Sequence, residues 1–256
     1  MIVTADSERA LQTQRRKTAN GWHTTFIGEN RMTRDANAPE PADATLFPMA
    51  FLVEKEPGAV VHPHFHRADQ YQVVVAGGGR LGRHALHGVE VHYTDAYSAY
   101  GPIVAAEDGI AWFTLRNAWD PGARYMTSAR AELRAARAEH YQHREAVAGA
   151  IHPLSDAALA TLAEATCQPV LGPGPDGLAT WHCKLPPCAE LFGPDPTTGG
   201  GQFWIVLAGR LSTGGSALLP PRSCTFVAPD DAALSVQAGT GGAEALCLQF
   251  PRRPWH

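Results

Sequence analysis

His64 and His66, with His62 before them and Gln70 after, are the residues of this chain best suited by type and spacing to do chemistry. Alternate residues of an extended strand point to one face, so His62, His64 and His66 share a side and their imidazoles can converge on one cation. Gln70, on a neighbouring strand, can add an amide oxygen. Six of the twelve histidines fall at 62, 64, 66, 84, 87 and 92, a clustering that composition alone does not produce. Imidazole nitrogen with an amide oxygen suits iron, manganese, nickel, copper and zinc alike, so the pattern implies a divalent metal ion without choosing it. A carboxylate would cancel part of that ion's charge. An amide leaves the full charge facing the pocket, which favours a small anionic organic substrate or a deprotonated water.

The elements that must position these side chains are short strands. Between 45 and 117 the runs LFPMAFLV, QYQVVVA, GVEVHY and AWFTLR are separated by Gly, Pro and Asp, the punctuation of a β-sandwich or barrel. The pattern then changes. Thr127 or Ser128 can cap a helix running through ARAELRAARAEHYQHREAVA to Gly149, and Ser155 can cap a second, SDAALATLAEA. His140 and His143 lie one turn apart on the first of these, on a face polar enough to meet water. Beyond them QFWIVLAGRLSTG, from Gln202 to Gly214, repeats QYQVVVAGGGRLG, from Gln70 to Gly82. A shift of 132 positions superimposes Gln70 on Gln202 and Gly77 on Gly209, which reads as an internal duplication. The same shift puts Pro196 at the place of His64 and Thr198 at that of His66. The second copy therefore lacks the imidazoles, and one metal ion per chain is expected, in the first copy.

Gly58, His64, His66, Gln70 and Gly77 together resemble the first signature of the cupin superfamily, Gx5HxHx3Ex6G, with Gln where Glu is usual. The second cupin signature, Gx5PxGx2Hx3N, resembles Val89 to Pro102 in length and hydrophobic rhythm. On that alignment Glu90 takes an acidic turn position, Asp95 and Tyr97 replace Pro and Gly, and Tyr100 falls in the His slot. The last metal ligand is then Tyr100, His92 or His62. Gln72 shares a strand face with Gln70 and can orient a ligand. Asp69 can exchange with Gln70 if the strand bulges, and Arg80, Arg83 and His84 follow a turn from which they can reach a carboxylate.

The resemblance implies an all-β bicupin: two double-stranded β-helix barrels joined by a helical linker. Its expected parts are residues 1–126 with the metal site, a linker at 127–168 and a degenerate barrel at 169–256. A homodimer is expected, since many cupins form one. The implied activity is that of a metal-dependent enzyme on a small organic anion, foremost a mononuclear non-haem iron oxygenase. A divalent-metal lyase or isomerase with Tyr100 or a His as general acid/base is the first alternative, and a ligand-binding cupin without turnover is the second.

The remaining features set bounds. A chain of 256 residues with 45% hydrophobic and 18% charged residues has a sizeable core, and a net charge of -4 without a long basic run excludes a nucleic-acid partner. The first residues lack the apolar core of a signal peptide and no stretch approaches the ~20 apolar residues of a membrane span, so a cytoplasmic location is expected. Five cysteines, Cys167, Cys183, Cys188, Cys224 and Cys247, have no CxxC spacing and read as idle thiols of a reducing compartment.

Overall fold

A computed structural model describes residues 1–29, 41–42, 46–139, 144–215 and 217–252. The chain begins with β1 (Ile2–Ala5), α1 (Ser7–Thr13), β2 (Arg15–Thr18), β3 (Gly21–Ile27), β4 (Met49–Lys55), β5 (Val60–Val61) and β6 (His64–Phe65). It continues through β7 (Gln70–Leu81), β8 (His84–His87), β9 (Val89–Thr94), β10 (Ile103–Arg116), β11 (Arg124–Tyr125), α2 (Arg130–Glu139) and β12 (Glu145–Ile151). The last part holds α3 (Asp156–Ala160), β13 (Thr166–Leu171), β14 (Ala179–Leu185), β15 (Glu190–Phe192), β16 (Gln202–Thr213), β17 (Cys224–Val227) and β18 (Ser235–Gln249). None of the described helices is long and apolar enough to cross a membrane.

Two compact units result, one of residues 15–151 and one of residues 1–14 with 152–256. In the first, antiparallel strands run in the order β12-β9-β7-β10-β4-β3-β2, with β5 added to β10, β8 added to β7, and β6 paired with β11. Strand alternation gives this sheet two different faces. One carries Tyr71, Val73, Phe113, Leu115 and Leu52, each buried to 1% exposure or less, and forms the apolar core. The other carries Gln70, Gln72, Trp112, Thr114, Arg116, Phe51, Val53 and Lys55 and lines a cavity. Register brings these together: Trp112 lies opposite Val53 and Val74, and Thr114 opposite Phe51 and Gln72. Val/Ile-rich runs supply the strands, while polar residues at every second place supply the site.

In the other unit the order is β1-β17-β16-β18-β14-β13, with β15 on β18. The repeat seen in the sequence returns in the backbone, since β7 and β16 are 12 residues each and start 132 positions apart, at Gln70 and Gln202. Gly77 and Gly209 take φ of +67° and +68°, and a Cβ on either would lie 2.2 Å from a backbone oxygen of the facing strand. Only glycine permits that kink and that approach. The interiors differ. Where β7 presents Gln72, β16 presents the indole of Trp204, 1% exposed within an apolar cluster with Val206, Leu234, Val236 and Cys247. Gln202 donates to Gln249 at 2.8 Å, closing the position equivalent to Gln70.

Three expectations are corrected here. Residues 145–151 are not the end of a helix but strand β12, paired with β9 through Glu145↔Thr94 and Val147↔His92. An unpaired sheet edge outweighed the helix propensity of EAVAGAI. His140 and His143 lie outside the described residues. Residues 1–14, expected with the N-terminal half, belong to the other unit because β1 completes its sheet against β17. Finally, Cys167 and Cys183 are not idle thiols; they face each other across β13 and β14 and form a disulfide. Cys224 and Cys247 remain free and buried, and burial pushes both thiols up, that of Cys224 beyond the range in which it ionises.

Candidate functional site

The cavity of residues 15–151 has a volume of about 290 Å³. Its lining includes His64, His66, Gln70, Gln72, Tyr100, Trp112, Thr114, Lys55, Arg116 and Tyr125. No carboxylate side chain of the described residues lines it, whereas two cations, Lys55 and Arg116, do.

His64 sits in β6 directly opposite Tyr100, the two backbones exchanging both hydrogen bonds at 3.2 and 3.0 Å. That pairing puts both side chains on one face. His64 donates through Nδ1 to the carbonyl of His62 at 2.7 Å, which fixes its tautomer and leaves Nε2 as an acceptor for the Tyr100 hydroxyl at 2.9 Å. Gln70 donates its amide nitrogen to Tyr100 Oη at 2.6 Å. The oxygen of that amide accepts from Arg116 Nε at 3.0 Å and Nη2 at 2.5 Å. His66 donates through Nδ1 to Asp120 Oδ1 at 2.9 Å, and its Nε2 faces Arg116 Nη2 at 3.2 Å. Asp120 also accepts from the backbone of Arg67 at 2.9 Å and of Gly122 at 2.8 Å.

The sequence-derived candidates thus divide. His64, His66, Gln70 and Tyr100 come together in one hydrogen-bonded chain. His62 does not join them: Pro63 interrupts the strand between β5 and β6, so the alternation fails and the His62 side chain is exposed. Its carbonyl, not its ring, serves the site. His92 packs against Tyr100 at 5.2 Å between ring centroids, but Nδ1 faces Gln72 at 3.0 Å and Nε2 faces Glu145 at 3.0 Å, so neither nitrogen is turned to the cavity. The hydrogen bond from His92 holds the Glu145 carboxyl below its ordinary range. Gln72 lines the cavity while anchoring His92. Asp69 accepts from Ala96 N at 2.8 Å and does not exchange with Gln70. His84 pairs with buried Glu90 at 2.6 Å, and Arg80 and Arg83 are exposed.

Arg116 and Asp120 are the members that the sequence did not reveal. Arg116 ends a run read only as a strand, yet its place two and four residues after Thr114 and Trp112 puts it on the cavity face. Tyr97, where the second cupin signature has Gly, adopts φ +56°, the left-handed conformation that favours glycine, which agrees with the alignment that places Tyr100 in the His slot.

Burial, then the charge of Arg116, pushes the His66 imidazole down to about 3, although Asp120 pulls the other way. Burial likewise lowers His64, against the hydrogen bond to the His62 carbonyl. Both rings are therefore neutral in the folded chain, while the unfolded chain takes up protons near 6.5. The stability these neutral rings confer is full above pH 6.5 and is lost as pH falls towards the folded value. For His66 the loss by pH 5 is about 2 kcal/mol. Melting curves at pH 7.5 and 5.0 should show it, with a smaller pH effect in His66→Gln; equal slopes in both proteins would contradict the assignment.

A divalent ion would need free lone pairs on these donors. The lone pair of His64 Nε2 accepts from Tyr100, that of His66 faces Arg116, and Gln70 Oε1 accepts twice from the same guanidinium. Among the described residues no group of three or more His, Cys, Asp or Glu side chains is arranged to hold a metal. A fixed cation lies against two of the donors, and Asp120 already serves His66 and Arg116. As arranged, the set does not fit a divalent metal ion.

No family model matches the chain, and no curated protein matches it in sequence. Solved structures do. A proposed dioxygenase from Nostoc punctiforme superposes with a TM-score of 0.60 at 12% identity, covering 100% of this chain and 84% of that one. Bacillus subtilis oxalate decarboxylase, studied for its Mn(II) centres, gives 0.57 at 12% identity, over 99% of this chain and 78% of that one. Pirin YhhW from Escherichia coli, in complex with nickel(II), gives 0.55 at 11% identity over 99% and 100%. These are cupin-fold proteins, and the fold of this chain is the cupin fold. At such identities the likeness extends to the fold alone.

Proposed function

We propose that residues 15–151 form a cupin barrel that binds a small organic anion and moves a proton on it, and that the other unit is a duplicated barrel without a site. The observation that carries this reading is the lining: among the described residues, two cations and no carboxylate line the cavity of the Tyr100–His64 pair. Apolar Phe51, Val53, Val61 and Ile103 complete the cavity, so the favoured ligand is a carboxylate with a small apolar body. The replacement of Gln72 by Trp204, and of the two imidazoles by Pro196 and Thr198, supports the reading of the second barrel as degenerate.

Tyr100 is the group that would exchange the proton. His64, with Nδ1 fixed, takes the phenolic proton at Nε2, while the Gln70 amide donates to the phenolate oxygen. Burial, and then Arg116, lower the His64 imidazole and keep it neutral. A carboxylate beside Arg116 would offset that cation and favour the transfer. This corresponds to lyase or isomerase chemistry on the acidic C–H next to a carbonyl.

Exchange of the pyruvate methyl protons in D2O, followed by NMR with and without the protein, tests the reading. Exchange well above the protein-free rate is expected. Tight binding of 2-oxo acids without any exchange would instead favour the ligand-binding cupin. The iron-oxygenase reading requires Arg116 to withdraw from His66 and Gln70, and O2 consumption by the iron-loaded protein alone would favour it.

The amide at position 70 gives another expected result. Gln70→Glu would place a carboxylate against Arg116 and remove the amide N–H that donates to Tyr100 Oη. Benzoate affinity should fall by about tenfold or more, as for loss of one charge-assisted contact. Stronger binding, measured by calorimetry, would contradict the charge argument.

A further inference from the structure

We infer that Arg116 takes the place of the divalent cation in this pocket: a guanidinium built into the chain receives the carboxylate of the ligand without any metal. The inference rests on the proposed anion-binding reading and names the groups that perform it.

Arg116 is 1% exposed and has five N–H donors in a planar fork. Nε and Nη2 reach Gln70 Oε1, and Nη2 also lies 3.1 and 3.2 Å from the two nitrogens of His66. Nη1 stands 3.2 Å from Asp120 Oδ1, close enough for ion pairing, yet it has no hydrogen-bond partner. Trp112 Nε1 is buried and likewise has no hydrogen-bond partner. Both residues line the same cavity, four positions apart on the same face of β10. Buried donors left unpaired cost about 1–3 kcal/mol each, so native proteins seldom retain them without a use. Four residues of strand span about 13 Å, so one carboxylate cannot bridge the two donors, and the charged one, on Arg116, is the donor that complements an anion.

The chemistry of position 70 agrees. An amide can accept from Arg116 and donate to Tyr100 at once, and a carboxylate cannot donate. Gln70 thereby links the anion-binding group to the proton-transfer pair, a task for which Glu, the usual cupin residue in the resemblance, is unsuited. Asp120 lies outside the lining, where its charge permits burial of the guanidinium. Lys55, on the facing strand, leaves the lining itself with a positive excess.

The test uses the full chain, purified without a His tag. Benzoate and pyruvate binding are measured by calorimetry in EDTA and after separate loading with iron, manganese, nickel and zinc. Uncharged benzamide serves as the control. Metal content is measured in parallel. We expect benzoate and pyruvate to bind equally in EDTA and after loading, benzamide to bind at least about tenfold more weakly, and metal to stay well below one per chain. Arg116→Lys keeps the charge but loses the fork, and should weaken benzoate by about tenfold. Binding only after metal loading would overturn the inference while leaving the anion-binding reading intact. Unchanged affinity in Arg116→Lys would also overturn it. Absence of benzoate and pyruvate binding under every condition would overturn the anion-binding reading itself.

Discussion

Arg116→Met is expected to lower the stability of the 15–151 unit by about 3 kcal/mol, the low end of the range for breaking a buried ion pair from one side. The guanidinium is buried against Asp120, itself 0% exposed, and methionine would leave that carboxylate without its cation. The loss stays at the low end because Asp120 keeps its contacts from His66, Arg67 N and Gly122 N. Thermal unfolding should show a fall on the order of 10 °C, and Arg116→Met/Asp120→Asn should recover part of it, because the second change removes the stranded charge. Identical melting of Arg116→Met and the parent would mean that the guanidinium is not held as described.

The second large effect falls on Tyr100. Tyr100→Phe should reduce pyruvate exchange by roughly 10²–10⁴, the usual contribution of a positioned acid–base group. It removes the hydroxyl that bridges His64 Nε2 and Gln70 Nε2. The fall should appear in turnover more than in affinity, because on this reading the anion is held from β10, by Arg116. A drop confined to affinity, with turnover intact, would assign Tyr100 to binding. His64→Gln provides a second check: an amide can still accept from Tyr100 but takes up no proton, so it should impair exchange while leaving the phenol partnered.

Much of the strand pattern was legible because alternation, Gly and Pro mark strands and their ends, and the repeat from Gln70 to Gln202 survives in two strands of equal length. His64, His66, Gln70 and Tyr100 could be named together because spacing within a strand carries direction. His62 could not be judged that way, since one proline turned the chain between it and His64. Arg116 was hidden for a different reason: at the end of AWFTLR it looks like the polar stop of a strand, and only the sheet register shows that it faces Gln70 inside a cavity. The Cys167–Cys183 bond depends on the pairing of β13 with β14, which no local spacing encodes. Strand β12 shows tertiary context prevailing over propensity, since an Ala-rich stretch became an edge because β9 offered one.

The placement of β1 has a consequence for how the polypeptide matures. Ile2 meets Val227 and Ala5 meets Cys224, so β1 finds its partner only after the whole intervening chain has been made. Until then the stretch 15–151 can close its own sheet, while residues 1–14 wait for the partner of β1. Any version of the later unit that lacks β1 would expose the rim of β17 along Cys224–Val227, where stray strands can attach.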